Sequence, residues 1–417
     1  MAWHLTPAWT STQAPPATDV SNTIDLLRRT QPGRLVLTGT DSVSIATVGV
    51  EAIGNGWQLA FPAGGTDIDR WPDTLYTLRL HADLHGTRLH RGCLSHRDGH
   101  WDVAMSTSGT TRAPRTFGFT LTQLTGVCSL YQQLYGLDEQ ADIITALPAA
   151  HNFAFIAGVC AAATTGAGML FAPTHSDVIA HLASHLHQRR TIVLASPVLL
   201  EQEGIERVAT PNLLIDSGAA PVSRPHVLAL RDRGADLREG YGTTETLSLT
   251  HFDTASTEQS AGTVGTTVPG VSCRISTDHL VEVQTPYLGK ELDKELLPAA
   301  ATASPWAGTG DLGAIDPHGQ LRLLGRAGDQ PIAGLWPRDI LDALGTTLGA
   351  RTAAITSQPD ALTVQVLQPL PEGVHQCLVD LCASLTSLPR TAIHIITPAR
   401  ALTYSMKLPR PAAQETP

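Results

Sequence analysis

The chain has 417 residues, of which 42% are hydrophobic and 16% are charged, so it can bury a substantial core and lacks the composition of a disordered protein. The formal net charge of −10 argues against general nucleic-acid binding, which requires a basic face. The six cysteines form no CxxC pair, and the sequence does not open on a basic start followed by an apolar run. We therefore expect reduced thiols, no signal peptide and a cytoplasmic protein.

Short runs rich in valine, isoleucine and leucine recur along the chain, and they predict buried strands at 34–39, 191–196 and 212–218. Amphipathic stretches lie between them. Within residues 176–190, for example, Val178 and Leu182 share one helical face and Ser176 is the predicted N-cap. This alternation predicts an α/β fold with mixed, largely parallel sheets.

A long uncharged segment, FAFIAGVCAAATTGAGMLFAP at 153–173, raises the question of a membrane span. Its glycines, paired threonines and terminal proline favour a buried helix followed by a strand over a spanning helix. We expect no membrane association.

The sequence pattern changes twice in the second half of the chain. From about residue 262, short strands and turns indicate a β-rich section. Helix and strand patterns return after the turn-forming Gly-Asp-Gln-Pro at 328–331. We therefore predict a large N-terminal domain over 1–327 and a small α+β C-terminal domain over 328–417.

The segment TSGTTRAPR at 107–115 follows an apolar run and combines hydroxyls, a glycine and two arginines. Such a loop can surround a phosphate with closely spaced N–H groups, while Arg112 and Arg115 add positive charge. The Walker pattern GxxxxGK[ST] is absent, and a polar turn after a strand is the alternative interpretation. The candidate phosphate-binding residues are Thr107, Ser108, Gly109, Thr110, Thr111 and Arg115.

Later segments carry further candidate groups. The backbone of SGAAP at 217–221 is small enough for a flat ring to lie on it. GYGTTE at 240–245 combines an aromatic ring, hydroxyls and a carboxylate, which suits a base, a phosphate and a divalent cation. Asp311 in GTGDLG suits a ribose diol. Two candidate cations follow later in the chain, namely Arg326 and Lys407.

In this order, these segments resemble the motifs of the adenylate-forming, AMP-binding superfamily of acyl-CoA synthetases and adenylation domains. TSGTTRAPR resembles the phosphate loop of this family, and YGTTE resembles its YGxTE motif. TGDL and GR resemble its ribose-binding pair, and SMKLPR resembles its C-terminal lysine segment. ALPAAHNFAF at 146–155 is similar to a segment of aryl-acid AMP ligases of the 2,3-dihydroxybenzoate or salicylate type. The sequence departs from the family at Arg112, Arg115 and Met406, where glycine, lysine and glycine are usual, and its N-terminal part looks shorter.

The resemblance implies specific roles. The catalytic residues would be Lys407, which bridges the acid and the α-phosphate of ATP, with Thr244 and the magnesium ligand Glu245. Other ATP-binding residues would be Gly218, Ala219, Ala220, Tyr241, Gly242, Thr243, Asp311 and Arg326. Substrate-binding residues would be His151, Asn152, Phe153 and Gly240. Gly328 and Asp329 would form the hinge of a mobile C-terminal domain.

The implied function is ATP- and magnesium-dependent activation of a carboxylic acid as an acyl adenylate in a biosynthetic, secondary-metabolic pathway. We expect an aryl acid of the hydroxy- or aminobenzoate type. The acyl group would pass to CoA or to the phosphopantetheine of a carrier protein. The alternatives are a ligase for a non-aromatic acyl or amino acid, and a relative that binds nucleotide or acyl-AMP without turnover.

Overall fold

The structure is a computed structural model that describes residues 9–11, 17–39, 41–61, 78–83, 86–91, 101–107, 115–185, 189–202, 204–208, 210–292, 305–348, 353–366 and 369–397. Several predicted site residues lie outside these ranges, namely Ser108, Gly109, Thr110, Thr111 and Lys407, as does Arg112. All the other predicted site residues lie within the described part.

The largest sheet has eight strands. They are β1 (Trp9–Ser11), β8 (Ala141–Thr145), β9 (Gly168–Phe171), β10 (Arg190–Ala195), β11 (Leu213–Ser217), β12 (Asp236–Tyr241), β13 (His251–Phe252) and β14 (Thr266–Thr267). Their spatial order is β1-β9-β8-β10-β11-β12-β13-β14. The first six strands in this order are parallel to one another. β13 pairs antiparallel with β12, and β14 pairs antiparallel with β13. Parallel strands are covered on both faces, which explains the continuous apolar runs that predicted β10 and β11 correctly.

A second sheet has seven strands. They are β2 (Arg34–Gly39), β3 (Gln58–Phe61), β4 (Leu78–Asp83), β5 (Gly86–Arg91), β6 (Val103–Ser106), β7 (Thr116–Phe119) and β17 (Lys290–Glu291). Their order is β17-β7-β6-β3-β2-β4-β5. β6 and β7 are antiparallel neighbours, so residues 107–115 connect the adjacent ends of this hairpin.

The main core lies between these sheets and the helices packed on them. Its helices are α1 (Ala17–Arg29), α2 (Ser42–Gly54), α3 (Leu121–Tyr135), a π-helix (Ala154–Cys160) and α4 (Ala161–Thr165). The π-helix and α4 precede β9, and residues 154–163 are all buried, which confirms the predicted buried helix and strand. Within the part of the chain that the structure describes, no helix is long and apolar enough to cross a membrane.

A second apolar cluster lies on the other face of the eight-stranded sheet. It involves α5 (His175–His185), α6 (Pro197–Leu200) and α7 (Arg224–Arg231). The predicted N-cap Ser176 is wrong, because α5 already begins at His175. The Asp177 N–H donates to Thr174 Oγ1 at 3.2 Å and the Thr174 N–H donates to Asp177 Oδ2 at 3.1 Å. This reciprocal capping box places the helix start earlier than Ser176 does.

The β-rich section and the C-terminal part follow the predicted order. An antiparallel sheet contains β15 (Ser272–Ile275), β16 (Leu280–Gln284), β18 (Ala307–Ile315) and β19 (Leu321–Arg326). The C-terminal part contains α8 (Pro337–Leu348), β20 (Ala353–Gln358), β21 (Ala361–Val366), α9 (Glu372–Thr386) and β22 (Ile393–Ile396). These elements share an apolar cluster of their own. The mixed α/β fold with several sheets is as predicted, while the boundary after residue 327 stays a prediction.

Candidate functional site

The candidate groups gather near the carboxyl ends of β11 and β12, which are parallel neighbours in the eight-stranded sheet. Gly218 directly follows β11, and Gly240 and Tyr241 end β12. Side chains from the β6–β7 hairpin and from the β18–β19 pair also reach this region. The carboxyl edge of an open parallel sheet is the usual position of a ligand site, because the loops that follow the strands meet there.

Thr107 and Arg115 close the base of the glycine- and hydroxyl-rich loop. The Thr107 N–H donates to the Arg115 carbonyl at 2.8 Å, and the Arg115 N–H donates to Thr107 Oγ1 at 2.9 Å. Residues 108–114, between these two positions, lie outside the described residues. The two hydrogen bonds fix where the loop starts and ends.

Arg115 forms an ion pair with Glu245. Its Nη2 lies 2.5 Å from Glu245 Oε1, and its Nη1 lies 3.8 Å from Glu291 Oε2. Glu245 lies in a 3₁₀ turn, Thr244–Thr246, that follows β12. The pair therefore joins two candidate segments, and no sequence pattern indicated this contact.

Tyr241, Asp311 and Arg326 form a second charged cluster. The Tyr241 hydroxyl donates to Asp311 Oδ2 at 2.7 Å, and Arg326 Nη1 donates to Asp311 Oδ1 at 2.6 Å. Asp311 and Arg326 are direct partners across the β18–β19 ladder. The nearby Asp311 carboxylate raises the pKa of Arg326, and burial raises the pKa of Tyr241 well above its usual value. The phenol therefore stays protonated and the guanidinium stays charged at neutral pH.

The predicted hinge is bonded to this cluster. The Arg326 N–H donates to Asp329 Oδ2 at 2.7 Å, and the Asp329 N–H donates to the Arg326 carbonyl at 2.9 Å. Gly328, between them, has φ of 102°, a conformation that favours glycine. A rotation at residues 328–329 would therefore act directly on the backbone that carries the Arg326 side chain.

The segment after β11 forms a tight turn. The Gly218 N–H donates to the Ala195 carbonyl at 3.0 Å, and the Ala220 N–H donates to the Gly218 carbonyl at 2.9 Å. Ala219 has φ of 73°, which costs a non-glycine residue about 1–2 kcal/mol. Backbone strain of this kind is concentrated at functional sites.

The turn after β12 is equally tight. A Cβ on Gly242 would lie 2.2 Å from the Ser248 carbonyl carbon, so only glycine fits there. The Thr243 carbonyl accepts hydrogen bonds from the Thr246 and Ser248 N–H groups at 3.1 and 2.9 Å. These bonds hold Thr244 and Glu245 in a short, fixed turn beside Tyr241.

The His-Asn-Phe segment leads into the π-helix. The His151 N–H donates to the Pro148 carbonyl at 2.8 Å. Asn152 Oδ1 is buried, and no residue that the structure describes donates a hydrogen bond to it. The Phe153 ring packs against Gly218, where an added Cβ would lie 3.0 Å from the ring. π-Helical turns occur frequently at functional sites, and this one places Asn152 and Phe153 beside the turn after β11.

The sequence did not predict two buried residues that lie near the site. Asp216 in β11 accepts a hydrogen bond from the Tyr135 hydroxyl at 2.5 Å. His251 lies with its ring centroid 5.9 Å from that of Tyr241, and burial lowers its pKa to about 4. Asp216 could have been found as a carboxylate within the apolar run LLIDSG. His251 carried no comparable signal.

Comparison with known proteins supports the resemblance. The profile of a family described as AMP-binding enzyme matches residues 96–289. A 3-[(3aS,4S,7aS)-7a-methyl-1,5-dioxo-octahydro-1H-inden-4-yl]propanoyl:CoA ligase of Mycobacterium tuberculosis is 30% identical over 232 residues, or 51% of this chain and 45% of that protein. The chain spans about half the length of the curated relatives it matches.

Solved structures resemble this chain over almost its whole length. O-succinylbenzoate coenzyme A synthetase of Bacillus subtilis in complex with AMP has a TM-score of 0.74 at 18% identity, covering 99% of this chain and 96% of that one. An anthranilate CoA ligase in complex with anthranoyl-AMP has a TM-score of 0.74 at 15% identity, covering 98% and 93%. At such identities the likeness shows the fold alone.

Proposed function

We propose that this chain is a ligase that activates a carboxylic acid with ATP as an acyl adenylate, and the match of residues 96–289 to the profile of the AMP-binding enzyme family supports this. The observation that supports this most strongly is the convergence of two charged clusters near one sheet edge. Tyr241, Asp311 and Arg326 form one, and Arg115 with Glu245 forms the other. Together they offer acceptors for a diol, cations for phosphates and a carboxylate for a metal.

The nucleotide would lie across this edge. Adenine would stack between Tyr241 and the backbone of residues 218–220. Asp311 would accept hydrogen bonds from the ribose hydroxyls and Arg326 would donate to the ribose. The phosphates would extend toward Thr244, Arg115 and the loop that Thr107 begins. Phosphoryl chemistry of this kind depends mainly on positioning and on stabilising negative charge.

Magnesium suits the donor set, because it prefers hard oxygen ligands and Glu245 supplies a carboxylate. When bound, the ion would offset negative charge on the phosphates. Glu245 would hold it, and Arg115 would leave Glu245 to contact the phosphates instead. Lys407 would contribute the second cation, between the α-phosphate and the acid.

The acid substrate is proposed to be an aryl acid of the hydroxy- or aminobenzoate type. The buried Asn152 Oδ1 offers an acceptor to an ortho hydroxyl, and the Phe153 ring offers an apolar face. CoA is the proposed acyl acceptor, since the curated relatives are named as CoA ligases. A carrier-protein pantetheine is the alternative acceptor, and a non-aromatic acyl or amino acid is the alternative substrate.

ATP–pyrophosphate exchange with a panel of acids tests the proposal. The panel contains benzoate, salicylate, 2,3-dihydroxybenzoate, aminobenzoates, aliphatic acids and amino acids. Exchange with aromatic acids supports the proposed substrate, and exchange with aliphatic or amino acids alone overturns that part. ATP binding without exchange for any acid would favour a nucleotide-binding protein without turnover.

Replacing Asp311 with asparagine should raise the KM for ATP by about 10- to 30-fold with a smaller effect on kcat. The amide keeps one acceptor oxygen but leaves the Arg326 guanidinium without its counter-ion. Steady-state exchange at varied ATP concentrations measures the change.

Asp316→Asn is the matched control for Asp311→Asn. Asp316 follows the same strand β18, and its carboxylate accepts hydrogen bonds from the His318 and Gln320 N–H groups of its own turn, at 2.8 and 2.9 Å. An unchanged KM for ATP in Asp311→Asn, or an equal rise in both variants, would contradict the ribose-binding role.

Replacing Asn152 with alanine should lower kcat/KM for an ortho-hydroxy acid by about 10-fold, while leaving the KM for ATP unchanged. The variant lacks the buried Asn152 Oδ1, which would accept a hydrogen bond from the ortho hydroxyl of the acid. Benzoate, which lacks that hydroxyl, serves as the control substrate. A variant that activates salicylate and benzoate in the wild-type ratio would show that Asn152 does not contact the ring substituent.

A further inference from the structure

We propose that Gln123 is a positioning residue that, through the backbone of residues 286–289, holds Glu245 in place for magnesium binding. Gln123 belongs to α3 and to none of the predicted binding segments. The inference rests on the proposed function, in which Glu245 is the magnesium ligand.

Glu245 is tied to a distant part of the chain through its backbone. The Gly289 N–H donates a hydrogen bond to the Glu245 carbonyl at 2.8 Å. Within the turn itself, the Thr246 and Ser248 N–H groups donate to the Thr243 carbonyl. Hydrogen bonds to a carbonyl favour a limited range of directions, so the Gly289 bond restricts the peptide group that follows the Glu245 Cα. The backbone from which the carboxylate projects is therefore held from outside its own turn.

Gln123 holds the other end of the same peptide group. Its Nε2 donates to the Leu288 carbonyl at 2.9 Å and to the Pro286 carbonyl at 3.0 Å. The Leu288 carbonyl and the Gly289 N–H belong to one planar peptide unit. The Gln123 carboxamide and the Glu245 carbonyl are thus joined by a chain of two hydrogen bonds, and successive bonds of this kind strengthen one another.

The carboxamide of Gln123 is oriented by the first turn of α3. Gln123 Oε1 accepts from the Thr120 N–H at 2.9 Å, and the Gln123 N–H donates to Thr120 Oγ1 at 3.3 Å, which is a capping box. Oε1 therefore faces a donor, and Nε2 faces two carbonyls. Glutamate and glutamine both serve in such a box, but only glutamine can also donate to the carbonyls.

Residues 286–289 lie between α3 and β7. The Tyr287 ring lies against α3 at Gly126, where an added Cβ would be 2.8 Å from it. A Cβ on Gly289 would overlap the Phe119 ring of β7, so only glycine lets the backbone approach β7 this closely. Leu288 is 38% exposed, so hydrogen bonding, rather than the packing of its side chain, orients its carbonyl.

Gln123→Glu separates positioning from helix capping. The carboxylate keeps an acceptor for the capping box but faces the Pro286 and Leu288 carbonyls without a donor. We expect the Gly289 amide of the free protein to exchange with deuterium at least about 10-fold faster, because its peptide group is released. Mass spectrometry of the peptide that covers residues 286–292 measures this without metal or nucleotide.

The same variant should bind metal more weakly. Manganese, titrated in the presence of ATP and followed by electron paramagnetic resonance, should bind about 10-fold more weakly than to the wild type, since losing a group that orients a metal ligand has effects of this size. In ATP–pyrophosphate exchange, the magnesium concentration for half-maximal rate should rise by a similar factor, while the KM for the acid stays within about twofold. Gln123→Ala should give the same losses, which separates the missing donors from the added charge.

Thr120→Val is the matched control, because it removes the capping hydroxyl and keeps both Gln123 donors. It should lower the melting temperature but leave Gly289 exchange and manganese affinity near wild type. Equal losses in Thr120→Val and Gln123→Glu would overturn the inference, since both would then act through the stability of α3. Faster Gly289 exchange with unchanged manganese affinity would overturn it too, because the link would have no effect on Glu245.

Failure of the proposed function would give a different result. A wild-type protein that binds no manganese with ATP and exchanges pyrophosphate with no acid would overturn the proposed function, and the role of Glu245 with it. A wild type that does both, beside a Gln123→Glu variant unchanged in every measurement, would overturn only the positioning role of Gln123.

Discussion

Replacing Glu245 with glutamine is expected to lower the rate of acyl-adenylate formation by at least about 100-fold and to raise the magnesium concentration needed for half-maximal rate. A neutral amide binds magnesium more weakly than a carboxylate does. In the structure, Arg115 Nη2 lies 2.5 Å from Glu245 Oε1, so the guanidinium neutralises the carboxylate without a metal. ATP would offer Arg115 other anionic partners and free Glu245 for the ion. Exchange rates measured over a range of magnesium concentrations give both quantities.

Glu291→Gln provides the matched control for this experiment. Glu291 Oε2 lies 3.8 Å from Arg115 Nη1, so its replacement removes an equal charge beside the same guanidinium. We expect a change within about twofold, because partly exposed pairs at this distance contribute little. If both variants lost the same activity, the effect would come from the orientation of Arg115. If Glu245→Gln showed wild-type magnesium dependence, Glu245 would not hold the metal.

The elements that the sequence predicted have local signals. The apolar runs gave strands β2, β10 and β11 to within one residue, and glycines, threonines and a proline identified 153–173 as a helix and strand. The exception was Ser176, where Thr174 and Asp177 together form a better cap. Each of these outcomes depends on residues only a few positions apart, which a single sequence displays directly.

The contacts within the site depend on distant pairs, and the sequence did not show them. Arg115 and Glu245 are 130 positions apart, and Tyr135 and Asp216 are 81 apart. Each partner in the first pair was predicted as a ligand of ATP or magnesium, but neither motif indicates that the two groups neutralise one another. Asp216 belongs to a strand with no motif, and only the fold brings its carboxylate beside Gly240.

The motifs predict the order of the site along the chain, because the family resemblance indicates which segments would carry it. The structure then adds two links between those segments. Asp329 accepts a hydrogen bond from the Arg326 N–H, so the predicted hinge is connected with the proposed ribose-binding pair, Asp311 and Arg326. Phe153 contacts Gly218, which connects the proposed acid-binding segment with the proposed adenine-binding turn. Acid and nucleotide would therefore lie side by side, as attack of the carboxylate on the α-phosphate with release of pyrophosphate requires.

Replacing Lys407 with alanine is expected to lower acyl-adenylate formation by about 1,000-fold. Lys407 lies outside the residues that the structure describes, and its role follows from the resemblance of SMKLPR to the family's lysine segment. Attack of the acid on the α-phosphate would gather negative charge, and the described residues offer Arg115 and Arg326 near the proposed positions of the other phosphates and the ribose. A further cation between the acid and the α-phosphate would have no substitute there. Pyrophosphate exchange with the acid identified by the panel measures the loss.

The second half-reaction separates this role from a general loss of structure. If Lys407 acts only while the adenylate forms, Lys407→Ala should convert chemically synthesised acyl-AMP and CoA to the thioester at close to the wild-type rate. Lys407→Arg should recover part of the first step, since it keeps the charge with a different geometry. Lys290→Ala, which removes a lysine from β17 on the other sheet, should leave both steps near wild type. Loss of both half-reactions in Lys407→Ala would contradict a role limited to adenylation, and unchanged pyrophosphate exchange would show that another residue stabilises the transition state.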